Sequence, residues 1–71
     1  MSLAKVIEVI AESDVSWEDA AKNAVTEAGE TIRNIRHLYV KDMQCIVEGD
    51  TIVKWRLNCN VTFVVDSNRE D

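Results

Sequence analysis

Few groups in this chain have the chemistry for a reaction or a ligand. They are the lone histidine His37, the cysteines Cys45 and Cys59, the tryptophans Trp17 and Trp55, and Arg56 directly after the second tryptophan. A cysteine–histidine nucleophile requires thiol and imidazole within hydrogen-bond reach. The hairpin register read below sets His37 opposite Thr62 rather than either cysteine, so that pair is not formed. Zinc is disfavoured on the same residues, because no C-x-x-C spacing exists and scattered soft ligands rarely close a tetrahedron. Glu48 and Asp50 flank a turn glycine, and Glu8 and Asp42 fall on strands. Calcium takes six or more oxygens, which no loop of this chain offers, so a calcium site would have to be shared across a symmetry axis. Nothing supplies a nucleophile, its base and a charge-stabilising group together, and the sequence therefore predicts a protein that is not an enzyme and has no metal site within one chain.

Trp17 and Trp55 both fall on apolar faces by periodicity, which assigns them to the core rather than to a cofactor platform. The two cysteines fall on neighbouring strands about five residues, or roughly 16 Å, out of register, beyond disulfide reach. They are expected to be reduced. Asn60-Val61-Thr62 matches a glycosylation sequon but lies mid-strand in a chain without a signal peptide, and is assigned to chance. Two positions keep two readings each. His37 either stacks on a planar ligand or is a strand histidine at a subunit contact or in solvent. Arg56, on a polar strand face, either meets a ligand or forms a surface salt bridge.

The elements that must position these groups begin with a helix over Ser16 to Ile32, SWEDAAKNAVTEAGETI. Trp17, Ala20, Ala21, Ala24, Val25, Ala28 and Ile32 return to one side of a 3.6-residue turn. Ser16 is a good N-cap, and Glu18 and Asp19 suit the positive end of the dipole. Arg33 and Arg36 suit the far end, and Asn34 can take the left-handed turn that stops the helix. Alanines make the stripe thin, so a sheet can approach closely. Leu3 to Ala11 is a β-branched strand with both faces partly apolar, and Glu12 to Asp14 connect it to the helix. Ile35 to Val47 is a second strand whose two faces are mixed. Glu48-Gly49-Asp50 turns the chain back. Ile52 to Val65 alternates strictly: Val53, Trp55, Leu57, Cys59, Val61, Phe63 and Val65 form an apolar face for the helix, and Lys54, Arg56, Asn58, Asn60 and Thr62 a polar one. The fold class is α+β, in the order β-α-β-β, a long antiparallel hairpin curved around one helix with the first strand added to the sheet, and residues 1–71 forming one domain.

Composition sets the context. A 71-residue chain buries only roughly 60% of its unfolded surface, and a core of that size rarely supplies more than about 3–5 kcal/mol unaided. Its 46% hydrophobic content points to burial between subunits, hence a homo-oligomer. The net charge of −5, without clustered lysine and arginine, argues against a nucleic-acid partner. No apolar run has membrane-span length and no signal sequence is evident, so a cytoplasmic protein without a membrane partner is expected.

Three stretches, KVIEVIAES, SWEDAAKNAV…AGETIRNIRHLYVKD and WRLNCNVTFVV, in this order and spacing, resemble the dodecin family of small flavin-binding proteins, from about Lys5 to Asp66. The resemblance implies a twelve-subunit hollow shell, a homododecamer, each subunit being a three-stranded sheet wrapped on one helix. It also implies a flavin cofactor, FMN or riboflavin, stacked in pairs between symmetry-related subunits and stored or shielded rather than turned over. In the flavin-binding members a tryptophan a few residues after the helix stacks on the isoalloxazine ring; the matching position here is His37. A glutamine after the aromatic residue of the third strand reads the ring's polar edge in those proteins; here Arg56 follows Trp55. Imidazole stacks over a smaller area, and arginine keeps donors but loses the amide's acceptor. His37 and Arg56 are the ligand-binding residues the resemblance implies, for a small planar ligand held more weakly than in tryptophan-bearing relatives. A branch of the family associated with calcium, or a purely structural assembly, is the alternative.

Overall fold

The computed structural model describes residues 2–66, which run β1 (Ser2–Ser13), α1 (Trp17–Ala28), β2 (Ile35–Glu48) and β3 (Thr51–Asp66). The polar tail expected from Ser67 onward lies outside the described residues. All pairings are antiparallel and the strand order is β1-β3-β2. The cleanly alternating segment is therefore the central strand, and the helix lies on its apolar face. Leu57, Cys59 and Val61 are buried there, with Ala11 of β1 and with Ala20 and Ala24 of the helix. Val9, Trp17, Ala21 and Leu38 close around them. Ala20 is fully buried, and the absence of a larger side chain lets backbone and sheet approach.

The helix is shorter than its apolar spacing predicts. It ends at Ala28 with Gly29 as C-cap, and Asn34, at φ 63°, takes the left-handed turn well past that end. Arg33 and Arg36 consequently lie beyond the last turn and do not meet its dipole. Glycine costs up to about 1 kcal/mol inside a helix, and here the chain stops instead. At the other end Ser16 caps as expected, its Oγ accepting from the Asp19 N–H at 3.0 Å. β1 runs two residues further than the apolar pattern, so Glu12 and Ser13 belong to the sheet and not to the connection.

The mixed faces of β2 have a geometric cause. Its register against β3 shifts between Ile35 and His37, between Val40 and Asp42, and between Ile46 and Val47. The first two each leave a β2 residue, Arg36 and Lys41, out of register and so change which parity of β2 faces the helix; the third leaves out Val53 of β3 instead. Leu38 and Val40 pair with Val61 and Cys59 on the helix side, whereas beyond the bulge it is Met43 and Cys45, opposite Leu57 and Trp55. The subunit is long and thin, 59 × 19 × 13 Å, and its core is correspondingly small. Apolar side chains are left exposed on both faces: Val6, Ile10 and Tyr39 away from the helix, Val25, Val40 and Met43 on the helix side.

Candidate functional site

The sheet face away from the helix carries the polar side chains of β3 and, by cross-strand pairing, the even residues of β1. His37 pairs with Thr62 at one end of this face, as the hairpin register predicts, and is exposed. Arg56 stands six residues along β3 from Thr62, roughly 20 Å at strand rise. One subunit therefore does not bring His37 and Arg56 to a common ligand. Arg56 faces Gln44 rather than Met43, the position an unbulged hairpin would give.

Arg56 also faces Glu12 on its other side. Its Nε donates to Glu12 Oε2 at 2.7 Å, and Nη2 reaches the same oxygen at 2.5 Å. Glu12, Arg56 and Gln44 thus form one row across the three strands, a carboxylate, a guanidinium and an amide with Cβ atoms about 5 Å apart. Of the two readings left open for Arg56, the salt bridge is realised. The apolar pattern of β1 ends at Ala11, and Glu12, one residue beyond it, still lies in the strand. The Glu8-Ile10-Glu12 alternation places Glu12 on the same face of β1 as Glu8, and the pairing of β1 with β3 sets it opposite Arg56.

Two further ion pairs lie on this face. Lys41 Nζ meets Glu8 Oε2 at 2.8 Å, and Lys54 Nζ meets Asp14 Oδ1 at 3.3 Å. Hydrogen bonding and charge from Lys41 hold the Glu8 carboxyl below its usual value, and Glu8 raises the Lys41 ammonium in return.

The remaining candidates lie on the helix side of the sheet or on the helix itself. Trp55 is half-buried on the helix side opposite Ser13 and Cys45. Trp17 packs on the core and donates its Nε1–H to the Gln44 carbonyl at 3.2 Å, tying the helix start to β2. Cys59 is buried opposite Val40, and burial pushes its thiol pKa up, away from the reactive thiolate. Cys45 pairs with Trp55, four residues along β3 from Cys59 rather than five; both cysteines are free. Among the described residues no group of three or more His, Cys, Asp or Glu is placed to hold a metal ion, and no helix is long and apolar enough to cross a membrane.

The residues on this face fit a flavin in part. Imidazole at His37 offers a small stacking surface, and the guanidinium of Arg56 offers donors but is held by Glu12.

Comparison with known proteins gives a consistent assignment. The family model described as Dodecin matches residues 3–66. A curated relative, calcium dodecin of Mycobacterium tuberculosis, is 35% identical over 63 residues, which are 89% of each chain. The crystal structure of a calcium dodecin from M. tuberculosis, described as having a novel calcium-binding site, superposes with a TM-score of 0.79 at 29% identity, covering 97% of this chain and 99% of that one. Dodecin from Streptomyces coelicolor shares the fold, with a TM-score of 0.88 at 24% identity over 93% of this chain and 94% of that one. With its β-α-β-β order, a sheet laid on one helix and a match running almost end to end, this chain belongs to the dodecin family.

Proposed function

We propose that the protein is a non-catalytic, cytoplasmic homo-oligomer, a dodecameric shell, that holds a small planar ligand between subunits, flavin being the ligand its family implies. The observation that carries this reading is the apolar surface one subunit leaves uncovered on both sides of its sheet. Ile10 is 64% and Tyr39 62% exposed on the open face, and Met43 is 56% exposed on the helix face. A thin subunit with so small a core needs neighbours to bury these groups. Assembly is also the one way to bring His37 of one subunit near Arg56 of another.

A specific observation favours a second reading, in which the ligand is calcium. The 35% identical relative is a calcium dodecin, and β1 places Glu8 and Glu12 on the open face. Both carboxylates are already paired with cations inside the subunit, so a calcium site would draw its oxygens from several chains.

Sedimentation at micromolar concentration tests the assembly; a folded monomer would overturn the proposal. Quenching of riboflavin fluorescence and calorimetric titration of calcium into metal-free protein separate the two ligands. Quenching without calcium heat supports the first reading, and calcium heat without quenching supports the second.

A further inference from the structure

We propose that Gln44 is a specificity-determining residue, supplying beside Arg56 the amide that reads the imide edge of a flavin, and that Glu12 is the positioning residue that aims Arg56. This rests on the flavin reading above and deepens it.

A guanidinium alone cannot meet an imide. An imide edge presents acceptor, donor, acceptor in sequence: carbonyl, N–H, carbonyl. Arginine has five N–H donors and no acceptor, whereas a primary amide has both. The antiparallel register puts such an amide next to Arg56, because Gln44 is its direct cross-strand partner and is exposed on the same face. Cβ atoms about 5 Å apart let both side chains converge on one ring edge. Arg56 then donates to one imide carbonyl, while Gln44 accepts from the imide N–H and donates to the second carbonyl.

Glu12 completes the arrangement. Its Oε2 takes both Nε and Nη2 of Arg56, which fixes the plane of the guanidinium and leaves the Nη1 hydrogens outside the pair. A guanidinium held this way loses less side-chain freedom on binding, so Glu12 acts through Arg56 rather than on the ring. The Gln44 backbone is fixed as well, because its carbonyl accepts from Trp17 Nε1. Its side chain is therefore presented from an anchored strand position.

The test compares lumiflavin with lumiflavin methylated at the imide nitrogen, by fluorescence quenching on assembled protein. The methyl group removes the N–H that Gln44 accepts, while ring stacking is retained. The starting protein is expected to bind lumiflavin roughly tenfold more tightly than the methylated probe. Gln44→Leu should bring the ratio to about one, and Gln44→Glu, which keeps an acceptor but loses the donor, should weaken both probes. Glu12→Gln should reduce the ratio without abolishing it. A Gln44→Leu protein that assembles and keeps the tenfold preference overturns the assignment of Gln44 while leaving flavin binding intact. If Glu12→Gln leaves the ratio unchanged, the positioning role is overturned. If the starting protein quenches neither probe, the flavin reading itself fails, and this assignment fails with it.

Discussion

Glu8 and Lys41 are joined by a 2.8 Å ion pair although their strands are never neighbours. β1 and β2 are the two edges of the sheet, and the lysine reaches across the whole width of β3. It does so because Lys41 is the residue left out of register between Val40 and Asp42, so the bulge that shifts β2 also aims this side chain. Hydrogen bonding first, and charge second, lower the Glu8 pKa and raise that of Lys41. The sign follows from each shift. A lowered Glu8 contributes stability above the ordinary carboxylate value and loses it as pH falls through the folded value. A raised Lys41 contributes below the ordinary lysine value and loses it as pH rises through the folded one. The pair acts in the window between. Lys41→Met should bring the Glu8 titration midpoint back toward its ordinary value, followed by NMR, and added salt should do the same in part. An unmoved midpoint in the variant would show that the pair does not persist in solution.

The turn from β1 into α1 hangs on one hydroxyl. Ser13 Oγ donates to Asp19 Oδ2 at 2.7 Å and accepts from the Val15 N–H at 2.8 Å and the Ser16 N–H at 3.3 Å. Ser13 is buried, so removal of its hydroxyl leaves partners stranded, at about 1–3 kcal/mol. Ser16→Ala loses one cap bond, worth about 1 kcal/mol. The expected order in chemical denaturation at fixed protein concentration is Ser13→Ala below Ser16→Ala below the starting protein. Equal midpoints for the two variants would mean that water replaces the Ser13 contacts.

Ser13 also marks where the sequence stops being legible. The strict alternation of β3 and the alanine stripe of the helix point directly to the face that is buried, because one period and one core decide them. β2 resists such a reading. Two register shifts change its parity, and the residues that cause a bulge carry no fixed signature, so Leu38 and Met43 share a side without sharing parity. The helix end is hidden for a related reason: Ala28 and Ile32 continue the apolar spacing while Gly29 and its neighbours leave the helix. In the site, the opposition of His37 and Thr62 followed from the turn alone. The Glu12–Arg56 contact did not, since it depends on which strand borders β3 on its other side.

Gly49 gives a clean test of backbone strain. Its φ is +66°, and a Cβ built there would meet nothing within 4 Å. Any cost of Gly49→Ala is then conformational rather than steric contact, about 1–2 kcal/mol for a left-handed alanine. Gly49→Asn should cost less, because asparagine tolerates this region. The comparison is made by denaturation midpoints of the two variants. If alanine and asparagine are equally destabilising, the hairpin has rearranged and the turn does not fix the β2–β3 register.

His37 and Arg56 carry the sharpest prediction about ligand binding. His37 is exposed opposite Thr62, so a larger ring at that position extends into open space and not into the core. His37→Trp enlarges the stacking surface, and a base–aromatic stack contributes about 1–3 kcal/mol, so flavin should bind roughly tenfold or more tightly. Arg56→Gln alone has opposing consequences: it restores an amide on β3 but leaves the Glu12 carboxylate without its cation on a half-buried sheet position. Glutamine at 56 should therefore help binding only when Glu12 is neutralised as well, and Glu12→Gln/Arg56→Gln should exceed Arg56→Gln. Titrating riboflavin into each assembled variant, with fluorescence quenching as the readout, ranks them. A His37→Trp protein that assembles normally and quenches no better than the starting chain means that the open face at Thr62 does not stack flavin.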